Sequence, residues 1–122
     1  METMALEQRA KELKERLSLL GKMVHEGKYF IAKHCNSLHT MKKRLYELER
    51  ERVQYDDIWN YSDVKVAENA IAIHNLKEDI NSTKEQLKEE NQNQKELISE
   101  VKRVNSEYSK LERRLQRKQS KL

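Results

Sequence analysis

Apolar residues recur along this chain at alternating steps of four and three. The series opens Leu6, Ala10, Leu13, Leu17, Leu20, Val24 and keeps phase to Leu122 without slipping by a residue. It contains 34 positions; nine are not apolar (Gly27, His34, Arg52, Ser62, Asn69, Thr83, Glu90, Gln94 and Lys118), leaving 25. A period of 3.5 held this long is the mark of helices supercoiled about a narrow buried stripe. The fold class read from it is all-α: a long coiled coil with continuous heptads from Leu6 to Leu122, residues 1–122 forming a single coiled-coil segment. One unbroken helix would extend roughly 180 Å at about 1.5 Å per residue. It cannot bury its own stripe, so a partner helix is required.

In heptad letters, Ala10, Leu17 and Val24 fall at a, and Leu6, Leu13 and Leu20 at d. Several a sites are β-branched (Val24, Ile31, Val66, Ile73, Ile80, Val101) and most apolar d sites are Leu, a choice that favours two strands. A parallel in-register homodimer would stack Arg52 on Arg52 and Glu90 on Glu90, leaving charges unpaired where water is partly excluded. Antiparallel pairing, with facing residue numbers summing to 121, sets Leu17 on Val104, Leu20 on Val101, Val24 on Leu97, Leu45 on Leu76 and Leu48 on Ile73. It also brings Gly27 to Gln94, Arg52 to Asn69, and the rim pairs Arg16–Glu107 and Arg44–Asp79 together. Ile31 against Glu90 remains a poor layer. Antiparallel pairing is therefore favoured.

That pairing suits an antiparallel dimer of straight helices or one chain folded as a hairpin near Trp59–Asp63. Asn60-Tyr61-Ser62-Asp63 lacks Gly and Pro, though Asn, Ser and Asp can start turns and cap helices. Heptad phase runs through this stretch, which favours the straight helix. Soft points are expected near 21–27, where Gly21 and Gly27 lie, at 60–63, and in the polar gap 90–94. Ser82 with Glu85 matches a capping box, a weak signal for a break there.

Composition narrows the classes. Charged residues make up 38% of the 122, apolar ones 36%, with two Gly and no Pro, which excludes a compact globular core and a turn-rich sheet fold. The net charge of +4 is spread evenly: residues 1–61 hold twelve Lys/Arg against ten Asp/Glu, and residues 62–122 thirteen against eleven. A nucleic-acid binder concentrates basic residues, and here only Arg113, Arg114, Arg117, Lys118 and Lys121 cluster, so nucleic acid is disfavoured as a partner. A single cysteine excludes an intrachain disulfide. With no apolar run of membrane length and no signal-peptide pattern, the expected location is intracellular, cytoplasmic or cytoskeletal or nuclear, without membrane contact.

Residues 55–73 are the most apolar stretch and hold the only Trp. Beyond the seam, Ile58, Ala70 and Ala72 fall at e or g, and Val64 and Ile71 at f, which should face water. Two strands do not need them there, and contiguous exposed apolar surface marks contact sites. Tyr55, Ile58, Trp59, Tyr61, Val64, Ala70, Ile71 and Ala72 are therefore the candidate protein-binding residues. Met23, Phe30 and Cys35 form a weaker second set. His34, Cys35 and His39 fall short of the four ligands a closed zinc site needs. Asp56 and Asp57 are consecutive and point apart on a helix, and no nucleophile has a nearby base. Neither catalysis nor a cofactor or metal is expected.

These features predict a non-enzymatic scaffold that oligomerises, with itself as a dimer or with a heteromeric coiled-coil partner, and docks other proteins of an assembly through 55–73. The alternative is a helical-hairpin adaptor or chaperone subunit of a larger protein machine.

Overall fold

A computed structural model describes residues 2–57 and 63–120. It contains two α-helices, α1 (Glu2–Asp57, 56 residues) and α2 (Asp63–Ser120, 58 residues), packed against each other as an antiparallel helical hairpin. The stripe read from the sequence is the interface. Every described seam position from Leu6 to Lys118 is buried or half-buried, with one exception, Arg52. α2 runs unbroken past Ser82, so the capping-box pattern there does not end a helix.

The straight helix expected from unbroken phase is thus corrected to a hairpin. Antiparallel layers need only a constant sum of facing residue numbers, and a dimer of straight helices and a hairpin share that sum. Phase continuity was therefore never able to separate them. Energetics separates them: closing a short loop costs little, whereas joining two chains forfeits about 4–15 kcal/mol of translational and rotational freedom.

The chain divides into two compact units, Met1–Tyr29 with Asn91–Leu122, and Phe30–Glu90. In the first, Leu13, Leu20, Val104 and Leu111 form a buried cluster flanked by Leu6, Ala10, Leu17, Leu97, Val101 and Tyr108. Gln94 is 8% exposed, and its Nε2 donates to the Val24 carbonyl at 2.9 Å. Gly27 lies directly beneath the Gln94 amide. Both glycines have ordinary helical backbone, so neither is present for left-handed freedom.

In the second unit, Leu48, Ile73, Ile80 and Leu87 are buried. Asn69 is 6% exposed and donates through Nδ2 to the Leu48 carbonyl at 3.0 Å. The expected Arg52–Asn69 layer does not form: Arg52 faces solvent and Asn69 reaches backbone instead. Glu90, expected as a poor partner for Ile31, lies with its Oε2 2.9 Å from His34 Nδ1. A flexible carboxylate at the edge of a layer turns to the polar neighbour rather than stay against a methyl group.

Candidate docking surface

The heptad position of each side chain decides its exposure. Val64 and Ile71, both at f on α2, stand on the side away from α1 and are 64% and 60% exposed. Ala67 and Ala70, on the same turns, are exposed as well. Two bulky apolar side chains seven residues apart therefore form an apolar strip over two turns, bordered by alanines that would let another helix approach closely. Tyr55 and Ala72 go elsewhere: both are half-buried and line a charged cleft of about 290 Å³ together with Arg44, Glu51, Lys65 and Glu68. Ile58, Trp59 and Tyr61 lie outside the described residues. Of the eight residues named from 55–73, Val64, Ala70 and Ile71 thus share the open side of α2.

The second set also separates. In the first unit, Met23 opens onto a shallow groove of about 420 Å³ with Asn93, Glu96, Leu97 and Glu100. Phe30 and Cys35 are exposed in the second unit, Cys35 as a free thiol. Tyr46 and Val53, at b on α1, are 63% and 60% exposed and escaped the sequence reading. Val53 stands between Arg52 and Gln54, and Tyr46 beside the seam residue Leu45, so neither extends an apolar run on the outer side. The Tyr46 ring carries the Arg50 guanidinium 5.9 Å from its centroid.

The rim of the first unit is electrostatically ordered. Arg9 Nη2 donates to Glu107 at 2.9 Å, Arg16 Nη2 to Glu100 at 2.8 Å, and Lys118 Nζ to Glu2 at 3.0 Å. The expected Arg16–Glu107 pair is displaced by one heptad. Continued in the same step, that pairing would set Arg9 against Arg114, whereas in the observed ladder Glu2 is held ionised first by Lys118 and, to a smaller extent, by the charge of Arg114. Arg44 likewise bonds Glu47 on its own helix at 3.3 Å rather than Asp79. Glu100 receives Arg103 as well as Arg16, and the two guanidinium groups pull its carboxyl down to about 2. Met23 and Asn93 occupy the next rung of this ladder, where Arg16–Glu100 is followed by a pair carrying no charge. That gap in the ladder is the groove.

Among the described residues no three His, Cys, Asp or Glu side chains converge on a common point, and no helix is long and apolar enough to cross a membrane. No protein-family model matches the chain, and neither a curated protein nor a solved structure is significantly similar to it.

Proposed function

We propose that this chain is a helical-hairpin adaptor, or a chaperone-type subunit, that joins a larger protein assembly through the outer side of α2. A single observation carries the reading. The hairpin covers its own seam, so Val64 and Ile71 are not needed for pairing α1 with α2, yet both remain bulky, apolar and open. Complete burial of one such side chain is worth about 1.5–3 kcal/mol, so the two together would supply part of the energy of a contact. A scaffold built from straight dimers would need its seam for oligomerisation; a hairpin has already used it. Binding rather than chemistry is favoured because the cleft beside Tyr55 is walled by charged side chains and the groove beside Met23 is shallow and largely apolar. Glu100, locked in its ionised form by two arginines, is unsuited to proton transfer.

The test is a pair of measurements on Val64→Ser/Ile71→Ser. Capture of the cellular partner should fall at least tenfold, while circular dichroism and the monomer mass from light scattering stay unchanged. Loss of helicity in the variant, or an undiminished capture, overturns the reading.

A further inference from the structure

We propose that the outer face of α2 between Lys110 and Arg117 docks an acidic helix of a partner protein. Lys110, Arg113, Arg114 and Arg117 are all exposed and stand at i, i+3, i+4 and i+7. On a helix these positions are neighbours, about 5–6 Å apart between Cβ atoms. They therefore form one continuous cationic strip across two turns. The carboxylates that border it are turned away. Glu107 is held by Arg9 at 2.9 Å, and Glu112 accepts the Tyr108 hydroxyl at 2.7 Å. Lys118 is committed to Glu2, whereas Lys110, Arg113 and Arg117 join no ion pair among the described residues.

Basic residues ending a helix also complement its dipole, but that effect falls off within the last turn. It accounts for Arg117, near the end of α2 at Ser120, and not for Lys110, Arg113 and Arg114 further back. A cationic strip in which Lys110, Arg113 and Arg117 have no ion-pair partner among the described residues fits a ligand with matching negative charge, and its width selects which. One helix is about 10–12 Å across and can follow the strip alone, presenting Asp or Glu at the same i, i+3, i+4, i+7 spacing. A nucleic-acid duplex is broader and would also overlie Glu2 and Glu12, which flank the same rim of this unit and are exposed. Single-stranded nucleic acid binds by stacking on aromatic rings, and the nearby Tyr108 is half-buried with its hydroxyl bonded to Glu112. An anionic membrane would call for exposed apolar side chains beside the cations, and the exposed residues from 110 to 117 are Lys110, Glu112, Arg113, Arg114, Gln116 and Arg117.

The surface is separate from the one formed by Val64 and Ile71 and does not depend on it. Fluorescence anisotropy with the full chain tests it, using an alanine-based helical peptide with Glu at those four positions, its Lys counterpart, a 20-base-pair DNA duplex and phosphatidylserine vesicles. The Glu peptide should bind at 50 mM salt and weaken steeply by 300 mM. Arg113→Glu/Arg117→Glu should lose at least tenfold in affinity for it and gain affinity for the Lys peptide. Arg113→Gln/Arg117→Gln, which adds no repulsion, should show the loss without the gain. Val64→Ser/Ile71→Ser should bind the Glu peptide as the parent does. No binding at 50 mM salt, equal binding by the reversed variant, or tighter binding of the duplex or the vesicles than of the Glu peptide overturns the proposal.

Discussion

Gln94 occupies the space that the missing side chain of Gly27 leaves on the facing helix. Its Nε2 donates to the Val24 carbonyl, one turn earlier on α1, at 2.9 Å, and its Oε1 lies against the Gly27 backbone. A methyl group on residue 27 would collide with that oxygen. Gly27→Ala gains about 1 kcal/mol of helix propensity. It also forces the amide to swing away, losing a buried hydrogen bond worth about 0.5–1.5 kcal/mol, and overpacking adds about 1–3 kcal/mol more. The variant should therefore be less stable by about 2 kcal/mol in urea unfolding. Gly27→Ala/Gln94→Ala should recover the loss; an additive penalty in the double variant would show that the two residues are not coupled.

Gly21 is the internal control. Nothing lies within 4 Å of a Cβ added there. Gly21→Ala should then register the helix-propensity gain of about 1 kcal/mol without a penalty. A melting temperature that rises by a few degrees supports this reading, and a fall would mean that position 21 carries a constraint beyond its surroundings.

Asn69 and Gln94 each spend a core position on a hydrogen bond to the backbone of α1, at Leu48 and Val24. Buried amides in coiled coils trade stability for a single register and partner. Asn69→Leu/Gln94→Leu should accordingly melt at a higher temperature while losing uniqueness, forming concentration-dependent dimers by light scattering. A variant that stays strictly monomeric would assign the amides no role in selecting the pairing.

The hairpin itself can be trapped. Leu17 and Val104 share the core of the first unit, close enough for a cross-link if their Cα atoms lie within about 7 Å. Leu17→Cys/Val104→Cys in a Cys35→Ser background should oxidise to a cross-linked monomer at any protein concentration. Covalent dimers on a non-reducing gel would instead reveal helices paired between chains.

Acid should loosen the first unit through Glu100. Its carboxyl is held down to about 2, first by Arg103 and then by Arg16. A carboxylate depressed on folding contributes stability above the ordinary carboxylate range and loses it as pH falls toward the folded value. Melting temperatures followed from pH 5 to pH 2 should drop more steeply for the parent than for Glu100→Gln, which has no proton to take up there. Parallel curves would mean that the Arg16–Glu100–Arg103 contact is too solvated to matter.

Much of the architecture was legible because burial follows a simple period. Which side of each helix is covered, the antiparallel sense, and the meeting of Gly27 with Gln94 all follow from a stripe of 3.5-residue spacing and from the cost of facing like charges. Of the docking residues, the openness of Val64 and Ile71 was equally visible, since position f points away from any single partner helix. Tyr55 on α1 and Ala72 on α2 differ from these f positions: as a seam residue and a rim residue, each lies toward the facing helix and is half-buried. Long side chains resisted the same reasoning: Arg16, Arg44 and Glu90 each had several partners within reach, and heptad letters do not choose among them.

By itself, then, the order of residues determined helix, stripe and antiparallel sense, because each depends on local propensity and on a pattern repeated many times over. The tertiary structure decided that the partner helix belongs to the same chain. It also decided that Arg9 rather than Arg16 takes Glu107, and that Asn69 and Gln94 bond to backbone. These outcomes turn on small differences between competing arrangements, such as the entropy of joining chains against closing a loop and the reach of one side chain against another. A repeating pattern is identical in every such arrangement, so only the folded geometry could choose.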